Sequence, residues 1–142
     1  MNDLEGTDLA GQLERIRHAH GDEPLRVGVV GVWTEAKVSF LGLTYRRFPI
    51  PDQGTPDVAD AIDLVRWCRE ATERGEAVVV TCMGGLGRSG TVAACFLVTA
   101  GMSADTAIAA VRAARGPRAL ETAAQEDFVV TFAAATRRRR RP

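Results

Sequence analysis

The sequence predicts an α/β fold, a central, mostly parallel sheet of about four to five strands covered by helices. Three observations carry this. Short valine-rich runs alternate with longer amphipathic stretches, one of those stretches is apolar on nearly every face, and glycine or proline punctuates most junctions. With 142 residues, 46% hydrophobic, the chain can bury roughly 68% of the surface it would expose unfolded. It divides into an N-terminal extension (1–24), a domain (25–136) and a basic tail (137–142) expected to be disordered.

The extension has room for one short helix, Leu9 to His18, before a Gly-Asp-Glu-Pro break. "LRVGVVGVW" reads as a buried strand, rich in valine and too short for a stable helix. "TEAKVSFLG" follows as a short helix, with Thr34 as N-cap and Gly42 behind its end. "LTYRRF" is the next strand, and "PIPDQGTP" a loop. A longer helix starts at a Thr55 N-cap with Pro56 in the first helical position, places Val58, Ile62, Val65 and Cys68 on one face, and ends at Gly75. "EAVVVT" is continuous in β-branched residues and reads as a central strand covered on both faces. "RSGTVAACFLVTAG" is the helix that is apolar nearly all round, hence buried. Ser103 caps a further helix that runs to about Arg115 and stops at Gly116-Pro117. The last helix begins at Thr122, which has capping-box spacing with Gln125, and reaches about Ala135.

Composition narrows the function. Eighteen basic residues balance eighteen acidic ones, so overall charge gives no argument for nucleic acid or membrane as partner. Arg137 to Arg141 are the exception. That run is expected to be a self-repelling solvated end, with weak contact to an anionic membrane or nucleic acid as its other reading. The opening residues are polar and acidic, without the apolar region of a secretory signal. The longest largely apolar run, Thr91 to Met102, falls well short of the ~20 residues a spanning helix needs. Three cysteines without paired spacing argue against a disulfide framework and for a reducing, cytoplasmic compartment. His18 and His20 lie far in sequence from every cysteine, so no metal or other cofactor is expected.

The chemistry concentrates in "TCMGGLGRSG", residues 81–90. This loop joins the C-terminal end of a predicted strand to the N-terminus of a buried helix, the place where open α/β sheets bind ligands. A helix N-terminus offers unpaired N–H groups and partial positive charge. Glycines at 84, 85 and 87 allow Met83, Gly84, Gly85, Leu86 and Gly87 to aim amides inward as a nest, and Arg88 adds a planar fork that fits two phosphate oxygens. The same field lowers the pKa of Cys82, ordinarily near 8.5 for a free thiol, and favours the thiolate. A thiolate under a phosphate cradle is placed for in-line attack on phosphorus. Ser89 can donate a hydrogen bond to the sulfur and improve it as a leaving group. Cys68 and Cys95 sit on apolar helical stretches and read as core.

Cys-x5-Arg-Ser in "CMGGLGRSGT", after a valine-rich strand, resembles the signature of the cysteine-based protein tyrosine and dual-specificity phosphatases. The likeness continues upstream in "FPIPDQGTPD" and downstream in "RGPRALETAAQEDFV", and is strongest to the small atypical and kinase-associated group. It implies a metal-independent hydrolase of phosphotyrosine, with phosphoserine and phosphothreonine also open, acting on phosphorylated proteins or peptides through a cysteinyl phosphate. Cys82, Arg88, Asp52 and Ser89 are the implied catalytic residues. One departure stands out: the family usually has His directly before the cysteine, and Thr81 stands there. A less depressed thiol pKa and modest activity are expected.

A departing phenolate or alkoxide benefits from a proton donor. Asp57 already has a structural explanation in the first turn of a helix, whereas Asp52 is stranded in "PIPDQG" with no helix to cap. The resemblance also implies a general acid in that loop, so Asp52 is favoured. Gln125 can be read as the water-positioning glutamine of tyrosine phosphatases, but its capping box explains it without catalysis. Arg46 and Arg47 either flank the cleft or form a solvated edge. Two other functions stay open: a phosphotyrosine-binding pseudophosphatase, supported by Thr81, and a phosphoinositide phosphatase, disfavoured by the uncharged loop residues 83–87.

Overall fold

The computed structural model describes residues 27–31, 44–48, 50, 54–75, 77–81 and 87–140. In chain order these are β1 (Val27–Gly31), β2 (Thr44–Arg47), α1 (Val58–Glu73), β3 (Ala77–Thr81), α2 (Gly87–Thr99), α3 (Ala104–Arg115) and α4 (Ala123–Arg140). The short helices expected at Leu9–His18 and after Thr34 lie outside the described residues.

The α/β class stands, and the described strands are all parallel, in the order β2-β1-β3. The described residues supply three strands rather than the four to five expected. Among the described strands β1 lies between the other two, and β3, the "AVVVT" strand expected to be central, pairs with β1. Val78 and Val80 are half-buried and pack on the apolar cluster of Phe48, Ile50, Leu64, Cys68 and Val92. The register is what positions the site. Gly31 is level with both Arg47 and Thr81, so β2 and β3 end at the same edge of the sheet. The chain therefore enters the segments carrying Asp52 and Cys82 from one C-terminal edge, on either side of β1.

Helix α1 begins two residues later than expected. Asp57, not Thr55, is its N-cap, accepting hydrogen bonds from the amides of Ala59 (3.1 Å) and Asp60 (3.3 Å). In "TPD" two good caps compete, and Asp is the stronger because its carboxylate also meets the helix dipole. Gly75 closes the helix with φ +82°, a conformation only glycine adopts without cost. The predicted face is the buried one, with Ile62, Val65 and Cys68 inside and Val58 packed against the core.

Helix α2 is the centre of the molecule. Ala94 and Cys95 are nearly inaccessible, and around them pack Ile62 and Val65 of α1, Ala107, Ile108 and Val111 of α3, and Phe128, Val129 and Phe132 of α4. Burying Phe132 alone contributes about 3 kcal/mol by area. The one buried hydroxyl in the middle of α2, on Thr91, donates to the carbonyl of Gly87 (2.8 Å) and is thereby satisfied. Arg69 of α1 donates to the carbonyl of Thr99, tying the two helices where α2 ends.

Ser103 caps α3 by accepting from the Thr106 amide (3.2 Å), and Gly116 ends it at φ +116°, both as read from sequence. Helix α4 opens on the expected capping box: the Gln125 amide donates to Thr122 Oγ (3.1 Å), and the Thr122 amide to Gln125 Oε1 (3.2 Å). It then runs past Ala135 to Arg140. The tail expected to be disordered from residue 137 is thus helical through Arg140. Arginine is a good helix former, and cations at a helix C-terminus offset the dipole.

Candidate active site

Cys82, Met83, Gly84, Gly85, Leu86 and Asp52 lie outside the described residues. Gly87, Arg88 and Ser89 form the first turn of α2, so residues 82–86 connect the end of β3 to a helix N-terminus. Ser89 is buried, 6% exposed, consistent with a hydroxyl that serves the protein interior rather than water.

Arg88 is half-buried, and its Nη1 donates to the carbonyl of Ile50 at 3.1 Å. Ile50 is itself 3% exposed, anchored in the cluster under the sheet. This bond joins the cradle helix to the chain two residues before Asp52. Asp57 is occupied as the α1 cap, where its Oδ2 accepts from two helix amides.

Gly87 was expected to serve the nest through backbone freedom. Its φ is not positive; what glycine provides there is room. A Cβ at Gly87 would lie 2.6 Å from Glu121 Oε1 and 3.2 Å from both Gln125 Nε2 and Oε1. Glu121 and Gln125 therefore stand directly against the cradle's end of α2. Gln125 is wholly buried, and beyond its capping role its Nε2 donates to the carbonyl of Gly54 (3.2 Å). The sequence offered a cap and left it there; the contact with Gly54, 71 residues away, had no local signal. Glu121 was missed entirely. It is exposed, and its carboxylate meets the positive end of α2.

The turn before α4 explains how these two side chains reach Gly87. Leu120 has φ +59° and is 3% exposed. A leucine in the left-handed region costs roughly 1–2 kcal/mol, and persists because its surroundings fix it. Arg112 donates from Nε to Ala119 O (2.9 Å) and from Nη2 to Leu120 O (3.1 Å), while pairing with Glu126 (2.5 Å). Gly90 of α2 lets the turn close in: a Cβ there would be 3.2 Å from the Leu120 amide.

The other cysteines are unsuited to nucleophilic work. Cys68 and Cys95 are buried, and burial pushes the Cys95 thiol well above its ordinary range. Iodoacetamide is accordingly expected to modify Cys82 in the folded protein and leave Cys68 and Cys95 until it unfolds, with a midpoint for Cys82 between about pH 5 and 8.5. Peptide mapping across a pH series checks this. Full reaction already at pH 5 would contradict the weakening assigned to Thr81. Among the described residues no cluster of His, Cys, Asp and Glu could hold a metal ion, and no helix is long and apolar enough to cross a membrane.

Residues 31–102, just over half of the chain, match the family model described as "Polymorphic toxin system, DSP-PTPase phosphatase". This chain belongs to the dual-specificity and tyrosine phosphatase family. The matched span includes Asp52, Cys82, Arg88 and Ser89. Cyclin-dependent kinase inhibitor 3 of Rattus norvegicus is 33% identical over 93 residues, covering 64% of this chain and 44% of that protein. The chain thus spans less than half the length of that curated relative. Among solved structures, Tk-PTP in its active form is 32% identical with a TM-score of 0.71, covering 78% of this chain and 79% of that one. Kinase associated phosphatase, crystallised with serine in place of its catalytic-site cysteine, is 26% identical with a TM-score of 0.69, over 78% and 70% of the two chains.

Proposed function

We propose that this domain hydrolyses phosphotyrosine, and phosphoserine or phosphothreonine where the cleft admits them, in proteins and peptides through a covalent phosphate on Cys82. The observation that carries the reading is the Arg88–Ile50 bond, which brings the candidate phosphate-binding fork and the chain leading into Asp52 together. Family membership supports protein phosphatase chemistry in general, and the residues of this chain supply the steps.

The α2 dipole, the loop amides of Met83 to Gly87 and the Arg88 fork hold the three non-bridging oxygens of the phosphate dianion. The Cys82 thiolate attacks phosphorus, the bond to the ester oxygen breaks, and Asp52 gives that oxygen its proton. The product alcohol leaves behind a cysteinyl phosphate and an Asp52 carboxylate. Water then attacks phosphorus, Asp52 takes its proton, and the sulfur–phosphorus bond breaks. A hydrogen bond from Ser89 stabilises the returning thiolate, and inorganic phosphate departs. No metal enters, because Arg88 and the amides supply the positive charge that phosphoryl transfer needs. A reducing, cytoplasmic compartment keeps Cys82 competent.

The uncharged residues Met83 to Gly87 favour a substrate with one phosphate over a phosphoinositide with several. Thr81 supports the second reading, a module that binds phosphotyrosine without turning it over. Rapid acid quench during turnover of a phosphotyrosine peptide separates the two. Mass spectrometry is expected to find one phosphoryl group on the peptide containing Cys82. Peptide binding with neither label nor phosphate release would leave the binding module.

A further inference from the structure

Gln125 does more than a cap requires. A capping box at this helix start needs only its carbonyl oxygen, which accepts from Thr122 N–H. Its amide nitrogen is spent on Gly54 O, and the whole group is buried against Gly87. Asp52 lies in residues 51–53, and the chain on either side of that segment is held from the cradle side: Ile50 O by Arg88 and Gly54 O by Gln125. The Gly54 carbonyl is part-buried, and water only partly replaces a donor lost there, so the bond restrains the backbone.

We propose that Gln125 is a positioning residue: by donating to Gly54 O it fixes the chain that follows Asp52 relative to the Gly87–Arg88 end of α2. This rests on the reading of Asp52 as general acid. It differs from a cap, which would affect only stability, and from a water-positioning role, which would act only after the leaving group has gone. The distinction is kinetic. In a two-step mechanism kcat/KM covers events up to the first irreversible step, here departure of the leaving group, whereas water attack enters kcat alone.

Two variants test it. Gln125→Glu keeps the oxygen that accepts from Thr122 N–H, and Glu is a natural residue at that cap position, so the helix start is retained. It turns the donor facing Gly54 O into an acceptor. Gln125→Met removes both bonds without adding charge. In each, kcat/KM for phenyl phosphate is expected to fall about tenfold and for para-nitrophenyl phosphate less than about threefold, because only the poorer leaving group depends strongly on the acid. In an Asp52→Asn background the same substitutions should add no leaving-group preference. Amide hydrogen exchange across residues 50–57 should quicken in Gln125→Met while that across α3 holds.

Equal losses for both esters, or a loss confined to kcat with a burst of phenolate, would overturn the proposal in favour of the cap or of water positioning. Unchanged exchange across 50–57 would overturn it regardless of kinetics. If Asp52→Asn itself shows no leaving-group dependence, the acid reading falls. Quickened exchange in Gln125→Met would then still uphold the anchoring of this segment by Gln125.

Discussion

Replacing Cys82 with serine is expected to lower phosphatase turnover by about 10⁴-fold or more while leaving phosphotyrosine peptide bound. The two outcomes follow from different atoms. The serine hydroxyl titrates several units above a thiol, and a helix N-terminus that favours a thiolate does not bring an alkoxide into the neutral range. The nucleophile is lost. The proposed anion site is not, because the groups assigned to it are loop amides, the α2 dipole and Arg88, none of which the substitution touches. Removing a thiolate beneath a dianion also removes a like-charge repulsion, so binding is expected to hold or tighten. Steady-state turnover of para-nitrophenyl phosphate and peptide titration by fluorescence anisotropy measure the two separately. Retained turnover would show that Cys82 is not the nucleophile. Cys68 and Cys95 could not explain such a residue of activity, since both are buried in apolar surroundings.

Much of the scaffold for this chemistry was legible because its signals are local. Ser103 and Gly116 bound α3 by bonds that reach at most four residues, and the Thr122–Gln125 box closes within three. Such choices are decided by neighbouring side chains before any packing occurs. Where two local signals competed, as at Thr55 and Asp57, the stronger acceptor won and the boundary moved. Features set by packing were not legible. Leucine is a poor residue for φ +59°, so Leu120 gave no hint of the turn that Arg112 holds. Gly87 illustrates the limit best. Its place in a glycine-rich loop suggested backbone freedom, but a Cβ there would meet a pair of side chains more than thirty residues further along the chain. The chemistry expected of the cradle rests on residues 82–89; what surrounds Gly87 depends on contacts of long sequence separation.

Arg88→Lys is the sharper test of the site, because it keeps the charge and removes the geometry. Lysine offers a point charge on a flexible stem, whereas the guanidinium presents two parallel donors to a phosphate and keeps further N–H groups for a second partner. In this structure that second partner is Ile50 O, held by Nη1 at 3.1 Å. An ammonium cannot grip two phosphate oxygens in plane and reach Ile50 at once. Loss of one oxyanion donor ordinarily costs about 10²–10³ in rate, and kcat/KM is expected to fall by about 10³-fold for Arg88→Lys, since a fork and a loop contact go together. Arg88→Ala should fall further, because the charge goes as well. The two roles separate by leaving group. Weaker phosphate binding slows every ester alike, while release of the chain before Asp52 slows phenyl phosphate more than para-nitrophenyl phosphate. Both components are expected in Arg88→Lys, the second of them disappearing in an Asp52→Asn background. Activity within about fivefold of wild type would mean that charge alone suffices, and neither the planar fork nor the bond to Ile50 would then have a place in the mechanism.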